Sequence, residues 1–432
     1  MSVPAAGSSP VHSASAKAGQ VLLVSHNFPP LQGAESLLVR NNALDLHARG
    51  WHVGVLTAPQ GLPRSREDPG LLAAVPGNIE IMRTVGSGGI HRPGMGRLAR
   101  YLIGRIETRW LPCPNLFWQK QAVAMGRSWL DAHPEAVIYS RAPRHVSSLA
   151  AMALKKRSGR PWVAHFSDPW WDFSYEGLIH RAWIRRLEHQ IIREADAVVF
   201  PNRPLADKVM AKYPDSWAGK ARVIPHGFAT FPSQIQAARP AGQSPLRVLH
   251  TGAFYPVYRT PDSLFEGLAL LNRRLPLKGR LLLECVGDET VCFQPLVNKL
   301  GLEKIVCLRE AVPYAQCQEM IAQADLLAVV DVTYGLRGVF LPTKLIEYFA
   351  FLKPVIGIAP PGSAVAQTLH SCGLECPDQD SPQAIADAFE RQILAWESGT
   401  FGVSQASRTQ MAGYHLQAVN QPLHELLASL AG

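Results

Sequence analysis

A pattern of short apolar runs alternating with longer amphipathic stretches occurs twice along this chain. In the first half, runs that predict strands fall at 21–25, 52–57, 79–83, 136–140, 161–166 and 196–200. In the second half they fall at 247–252, 281–287, 304–308, 325–330 and 354–358. The stretches between them predict helices at 34–49, 145–157, 178–194, 261–271, 296–300, 314–323 and 342–352. Apolar strands separated by helices are typical of a parallel sheet covered on both faces. The sequence therefore predicts an α/β protein with two such sheets in series.

A segment rich in Pro, Ala and Gln (ATFPSQIQAARPAGQSP) separates the two halves and shows little periodicity, as a domain linker does. A chain of 432 residues suits two domains of about 200 residues each. We predict a disordered tail, a first Rossmann-like domain, a linker, a second Rossmann-like domain and a closing helical segment at 1–19, 20–229, 230–245, 246–406 and 407–432. Two such domains form a ligand crevice where the carboxyl ends of their strands face each other.

Composition narrows the classes of function. No apolar stretch reaches the length of a membrane-spanning helix, and the first nineteen residues lack the apolar region of a secretory signal. Seven cysteines without a C-x-x-C pair argue against a disulfide scaffold or a zinc site, and they favour a reducing compartment. We therefore predict a cytoplasmic protein. Its net charge of +9 implies an acidic partner.

In each half of the chain, the loop after the first predicted strand carries a glycine suited to phosphate binding. In HNFPPLQGAES, Gly33 precedes a predicted helix, whose free N–H groups favour an anion. An ordinary strand-to-helix turn explains this loop about equally well. In HTGAFYPVYR, Gly252 permits close backbone approach, and the guanidinium of Arg259 can bind diphosphate oxygens.

The segment GVFLPTKLIEYFAFLKPVIG is the most informative one in the chain. Pro342 suits the first helical position, so the N–H groups of Thr343 and Lys344 can face a phosphate behind Gly338. Lys344 and Glu347 share one helix face, which places an ammonium near a diphosphate and a carboxylate near ribose hydroxyls. The alternative is an ion pair on the surface of an amphipathic helix.

The segment PWVAHFSDPWWD ends a predicted strand at the crevice. His165 can hydrogen-bond a sugar hydroxyl there, and Asp168 can accept from donor or acceptor hydroxyls. A structural role in capping the following turn is the alternative for both. Trp170 and Trp171 are either a platform for a sugar ring or part of the core, with the core favoured.

Taken in order, these segments resemble the GT-B glycosyltransferases of retaining family 4, in particular a subgroup with D-F-R-D-P-W and P-x-K-x-x-E-Y motifs. The resemblance covers the chain from Val21 onward. It implies two Rossmann-like domains facing across a cleft, the first on the acceptor side and the second binding the nucleotide sugar. It also implies that the closing helix crosses back to the first domain.

This chain departs from the family pattern at five positions. His165 and Ser167 stand where the subgroup often has Asp and Arg. Gln32 replaces the first of two consecutive glycines, and Leu264 stands where an additional lysine is usual. Val339 stands where the first glutamate of the E-x7-E region contacts the transferred sugar, so only the second, Glu347, is present.

The resemblance implies a hexosyltransferase-like enzyme that moves a sugar from a nucleotide-diphosphate donor to an acceptor hydroxyl, in polysaccharide or glycolipid biosynthesis. Candidate catalytic residues are His165, Asp168, Arg259 and Lys344. Candidate donor-binding residues are Gly33, Gly252, Arg259, Gly338, Thr343, Lys344 and Glu347. No cofactor or metal is expected, because cationic side chains and helix N-termini can neutralise the diphosphate. The alternatives are a catalytically silent nucleotide-sugar-binding subunit and a GT-B-fold nucleotide-sugar epimerase.

The positive charge concentrates between residues 91 and 127. Seven Arg and Lys side chains oppose one acid there, and they are interleaved with apolar and aromatic residues that include Trp110, Phe117 and Trp118. Such a segment suits an anionic membrane surface and a lipid-linked acceptor, and a solvated helix face is the alternative. No nucleic-acid-binding motif is present, so nucleic acid is not an expected partner.

Overall fold

A computed structural model describes residues 19–62, 65–86, 115–172, 178–232, 245–256 and 258–431. Its first sheet has seven parallel strands in the order β3-β2-β1-β4-β5-β6-β7. The strands are β1 (Gln20–Val24), β2 (His52–Thr57), β3 (Glu80–Arg83), β4 (Val137–Ala142), β5 (Trp162–Phe166), β6 (Ala197–Phe200) and β7 (Ala221–Val223). Strand order reverses between β1 and β4, which is the point where open α/β sheets bind ligands.

Helices cover both faces of this sheet. They are α1 (Ala34–Ala48), α2 (Pro69–Ala73), α3 (Trp118–Ala132), α4 (Val146–Ser158), α5 (Leu178–Glu194) and α6 (Arg203–Met210). One apolar core joins α3 and α4 to the sheet, and a second core joins α1 to the opposite face. Alternate residues of β1 explain this division, since Leu22 and Val24 enter one core and Val21 and Leu23 the other.

The second sheet has five parallel strands in the order β10-β9-β8-β11-β12. Its strands are β8 (Leu246–Thr251), β9 (Leu281–Val286), β10 (Val306–Arg309), β11 (Leu326–Val330) and β12 (Val355–Ile358). Its helices are α7 (Asp262–Arg274), α8 (Gln294–Lys299), α9 (Tyr314–Gln323), α10 (Thr343–Phe349), α11 (Ala364–Ser371) and α12 (Pro382–Glu397). The α/β class with two parallel sheets is therefore confirmed.

The chain closes with three helices, α13 (Gln405–Ala412), α14 (Leu416–Val419) and α15 (Gln421–Leu430). The last of them packs on the first domain, because Leu423 and Leu427 lie in the core beneath α1. The indole Nε1 of Trp51 donates to Nδ1 of His424 at 2.7 Å, which ties α15 to the turn before β2. The helix that crosses back to the first domain is thus present.

Several details of the sequence prediction were wrong. Pro342 precedes α10 as its N-cap residue and is not its first helical residue, and the helix ends at Phe349, three residues early. Helix α3 was not predicted, since its apolar residues were assigned to a membrane-facing segment. Trp118 is fully buried in the core and cannot contact a membrane, whereas Phe117 is exposed. Residues 91–114 of that segment lie outside the described residues.

Within the ranges that the structure describes, no helix combines the length and the apolar character needed to cross a bilayer.

Candidate functional site

The carboxyl ends of the two sheets face each other across a cleft, and contacts between loops bridge it. The side-chain amide of Asn202, after β6, donates to the carbonyl of Val339, after β11, at 3.0 Å. Arg66, after β2, pairs with Asp288, after β9, at 2.7 Å between Nη1 and Oδ1. Because every one of these residues follows the carboxyl end of a strand, the cleft lies where parallel sheets bind ligands.

A buried polar network forms the wall of the cleft in the first domain. Arg141, in β4, is only 2% exposed, and its Nε donates to Oε1 of Glu35 at 3.0 Å. Ser167 donates from Oγ to Oε2 of the same carboxylate at 3.0 Å and accepts from Nη2 of Arg141 at 3.2 Å. Burial raises the pKa of Glu35, and the guanidinium opposes this effect. Since donors reach both carboxylate oxygens, the geometry fits an ionised Glu35 paired with Arg141.

His165 is buried beside this network as a neutral imidazole. Burial, with Arg141 adding to it, holds the pKa of His165 well below its usual 6.5. Its Nδ1 lies 2.7 Å from the hydroxyl of Tyr139 and 3.3 Å from Nη1 of Arg141. A guanidinium can only donate, so Nδ1 must accept and Nε2 must carry the proton. This Nε2 is a buried donor that has no hydrogen-bond partner among the described residues.

Asp168 lies just beyond β5, half-buried, and faces the second domain. Burial, with Glu35 adding to it, raises the pKa of Asp168 to about 7, while Arg259 acts in the opposite direction. Asp168 and Arg259 were predicted from separate halves of the chain, and this interaction brings them together in the cleft.

Gly252 lies against the ammonium of Lys344, one of the two predicted cations of the second domain. This glycine has φ 90°, and a Cβ built on it would lie 3.0 Å from Nζ of Lys344. Nζ of Lys344 also lies 3.2 Å from Nε2 of His250, whose Nδ1 lies 3.0 Å from the carbonyl of Ala328. Burial and the nearby Arg259 hold the pKa of Lys344 well below its usual 10.5. A glycine is needed here because a side chain would displace the ammonium.

Within the described part of the protein, Arg259 lies close enough to Lys344 to lower the pKa of that lysine. Nε of Arg259 is buried without a hydrogen-bond partner there. Burial raises the pKa of Asp331 to about 6 and that of Asp168 to about 7, while Arg259 acts to lower the pKa of both carboxyl groups. Holding two cationic side chains close together in a partly buried site is costly. An anionic ligand in the cleft would relieve that cost.

Glu347 lies one turn further along α10 and is held by a neighbouring helix. The hydroxyl of Tyr314, at the start of α9, donates to its Oε1 at 3.0 Å. Burial raises the pKa of Glu347, with Tyr314 and then Arg40 of α1 acting to lower it. The alternative of a surface ion pair with Lys344 is not what the structure shows, since Glu347 bonds to Tyr314 and Lys344 to His250.

The remaining predicted donor-binding residues are Gly33, Gly338 and Thr343. Gly33, with φ 143°, is the N-cap of α1, and nothing lies within 4 Å of a Cβ built on it. Gly338, with φ 79°, approaches the start of α11, where its carbonyl accepts from the N–H of Ala364 at 2.8 Å. Thr343 begins α10.

The structure shows the surroundings of two residues, Leu264 and Val339, at which the chain departs from the family pattern. Leu264 is fully buried in the core of the second domain, so Lys344 is the lysine that reaches the cleft. Val339 packs with Val332 and Phe340 in a small apolar cluster.

Sequence reasoning missed the roles of Glu35, Arg141, His226 and Asp331. The ring of His226 stacks on that of His165 with centroids 6.2 Å apart. An arginine at the end of an otherwise apolar strand, in YSRAP, was the signal that could have identified Arg141. Trp170 is buried and stacks on His145 with centroids 4.3 Å apart, which agrees with the favoured core assignment.

Comparison with solved structures identifies the class of fold. Sucrose-phosphate synthase from Thermosynechococcus elongatus superposes with a TM-score of 0.66 at 17% identity, covering 96% of this chain and 99% of that one. Anabaena HepE, solved in complex with UDP and glucose, gives 0.61 at 17% identity, covering 96% and 100%. Trehalose 6-phosphate synthase from Burkholderia multivorans gives 0.60 at 14% identity, covering 96% and 99%. The fold is therefore that of the GT-B glycosyltransferases.

A family assignment for the first domain agrees with this fold. Residues 37–227 match the family model described as a glycosyl transferase 4-like domain. No curated protein sequence matches the chain. The resemblance to GT-B glycosyltransferases is thus confirmed for the fold of the chain, and for residues 37–227 by the match to a glycosyl transferase 4-like domain.

Proposed function

We propose that this protein transfers a sugar from a nucleotide-diphosphate donor to an acceptor hydroxyl with retention of anomeric configuration. The observation that carries the proposal is the closeness of Arg259 and Lys344, with Nζ of Lys344 against Gly252 and no hydrogen-bond partner for Nε of Arg259 among the described residues. A diphosphate supplies the missing negative charge. The same pair then offsets the charge that develops on the leaving diphosphate in the transition state.

The first domain supports the acceptor side of this proposal. The unsatisfied Nε2–H of His165 is a donor for a sugar hydroxyl, and Asp168 lies next to the diphosphate-binding Arg259. Glu347, oriented by Tyr314, is placed to accept from ribose hydroxyls one turn beyond Lys344. We assign Gly33, Gly338 and Thr343 to the backbone that surrounds the donor. The reaction needs no metal in this proposal, because protein cations neutralise the diphosphate.

The fold neighbours support a sugar nucleotide as ligand. HepE of Anabaena was solved with UDP and glucose, and the other neighbours include a lipopolysaccharide galactosyltransferase. We propose, on that basis, a cytoplasmic hexosyltransferase of polysaccharide or glycolipid biosynthesis. A lipid-linked acceptor at an anionic membrane surface remains part of the proposal, although Trp118 does not take part. Liposome flotation with anionic vesicles tests that part.

One observation favours a second candidate, a nucleotide-sugar-binding subunit without catalysis. Val339 occupies the position of the sugar-contacting glutamate of the resembling family, and it packs against Val332 and Phe340 instead of presenting a polar group.

The decisive experiment separates binding from turnover. Thermal shift with UDP, GDP, ADP and their sugars identifies the ligand, and donor hydrolysis or transfer is then measured with the ligand that binds. Arg259→Gln and Lys344→Gln should each lower kcat/KM by about a hundredfold. Arg273→Gln, which changes an exposed arginine at the end of α7, is the matched control and should have no effect. Binding without any turnover would favour the silent subunit, and no binding of any nucleotide would overturn both candidates.

A further inference from the structure

Three side chains with metal-ligating atoms meet at the amino edge of the first sheet, the edge opposite the cleft. His52 is the first residue of β2, Glu80 is the first residue of β3, and His133 follows the end of α3. One ligand atom from each of the three lies within 4.8 Å of the other two. Nε2 of His52 lies 2.8 Å from Oε1 of Glu80, and the two imidazole rings stack with centroids 4.8 Å apart.

Hydrogen bonds hold the atoms of Glu80 and His133 that would not bind the ion, namely Oε2 and Nδ1. Trp129 donates from its indole Nε1 to Oε2 of Glu80 at 2.8 Å, which leaves Oε1 turned toward His52. Nδ1 of His133 lies 2.8 Å from the backbone carbonyl of Trp129. A carbonyl only accepts, so this Nδ1 carries the proton and Nε2 keeps its lone pair. An imidazole oriented by a backbone carbonyl is the usual arrangement around a bound metal ion.

A glycine in β2 makes this arrangement possible. A Cβ on Gly54 would lie 2.6 Å from Cε2 of Trp129, so only glycine lets the indole lie across the strand. The indole in turn stacks on the ring of His133, with centroids 3.9 Å apart. The carboxylate and one imidazole are therefore fixed by packing and hydrogen bonds.

We propose that His52, Glu80 and His133 bind one divalent transition-metal ion of the zinc and nickel class, with water completing its coordination. Two imidazoles and a carboxylate suit this class, whereas Mg²⁺ and Ca²⁺ prefer oxygen ligands alone. The side chains of His52 and Glu80 are 43% and 45% exposed, so an ion can reach them. The ion would lie where Nε2 of His52 and Oε1 of Glu80 approach each other, and it would connect β2, β3 and the end of α3.

This site has no part in the sugar transfer proposed above, because it lies at the other ends of the strands. Its effect is on the stability of the first domain. The competing explanation is a simple ion pair between His52 and Glu80 with aromatic rings stacked on it. That explanation gives His133 no role as a ligand, whereas the metal site requires it.

The test uses the full chain after treatment with a chelator, titrated calorimetrically with ZnCl2 and, separately, NiCl2. The exposed thiol of Cys292 can bind zinc by itself, so all titrations use the Cys292→Ser background. We expect one ion per chain, and a rise in Tm when zinc is added. His133→Gln and Glu80→Gln should each weaken binding by more than about tenfold and remove the rise in Tm.

The matched control is His370→Gln, which removes an exposed histidine of the second domain and should leave affinity unchanged. Glu80→Gln retains an acceptor for Trp129, so its loss of binding cannot be attributed to unfolding if its Tm without metal matches that of the parent. Absence of binding to the parent protein would overturn the proposal. So would an unchanged affinity in a folded His133→Gln variant.

Discussion

Nζ of Lys344 lies 3.2 Å from Nε2 of His250, and the His250 ring is fixed by its other nitrogen at 3.0 Å from the carbonyl of Ala328. Because a carbonyl accepts, Nδ1 of His250 must donate and Nε2 must accept from the lysine. Burial, followed by the charge of Lys344, holds the pKa of His250 well below its usual value. A neutral histidine thus holds the ammonium in place without neutralising it.

The first prediction is that nucleotide-diphosphate binding takes up a proton at Lys344. Burial and Arg259 hold the pKa of Lys344 well below 10.5 in the free protein, and a bound diphosphate favours the charged form. Between the free and bound pKa values, the ligand must therefore draw a proton from solution. Calorimetry in buffers of different ionisation enthalpy measures this uptake. Lys344→Met should abolish the uptake, and the same uptake in that variant would contradict the assignment.

The second prediction concerns the hydrogen bond between Tyr314 and Glu347. Tyr314→Phe removes the donor that orients Oε1 of Glu347. We expect nucleotide affinity to fall by about tenfold, since a hydrogen bond to a charged group contributes about 1.5 kcal/mol or more. Glu347→Ala should weaken binding at least as much. In the double variant, the two losses should not add, because both changes remove one interaction. Strictly additive losses in Kd would show that the two side chains act separately.

The third prediction concerns the buried pair of Glu35 and Arg141. Removing one member alone should lower the free energy of unfolding more than replacing both. Glu35→Ala leaves a guanidinium that is 2% exposed without its carboxylate, and we expect a loss of about 3 kcal/mol in the free energy of unfolding. Replacing both residues, as Glu35→Leu with Arg141→Met, should cost less than Glu35→Ala alone. Urea unfolding measures all three proteins. A double variant less stable than the single one would refute the pair as the origin of the loss.

The fourth prediction is a pH dependence of stability that comes from Asp168. Its pKa in the folded protein, about 7, exceeds the ordinary value of 3.8. Between these values the folded state holds a proton that the unfolded state has released, so stability from this group decreases as pH rises. Asp168→Asn should therefore flatten the decline in Tm between about pH 4 and pH 7. Arg259 acts to lower this pKa, so Arg259→Gln should extend the decline to higher pH. An identical pH profile for the parent and Asp168→Asn would exclude this role.

The sequence alone predicted the two sheets and the positions of Arg259 and Lys344, and physical reasons explain why. Apolar runs of β8 and β11 are read directly from the chain, and the loops at their carboxyl ends must share one edge of a parallel sheet. The pair of Glu35 and Arg141 could not be predicted in this way. Its members are 106 residues apart, and only the packing of α1 beside β4 brings them together.

The error at Trp118 has a similar cause. Arginines interleaved with aromatic residues look the same in sequence whether the aromatic face meets lipid or a protein core. The position of α3 against the sheet, which depends on residues far away in the chain, decides that Trp118 is buried. Likewise, Val339 was recognised as a departure from the family, but its contacts with Val332 and Phe340 required the folded second domain.

Helix α15 constrains the order in which the two domains of this chain can complete their folding. The core beneath α1 is closed by Leu423 and Leu427, which are supplied after the whole second domain. During synthesis on a ribosome, the first domain must therefore wait with an open apolar surface until 421–430 have emerged. A shortened chain that ends before this helix would leave Trp51 and its surroundings uncovered, and such a chain would be a target for chaperones and proteases even though both sheets were intact.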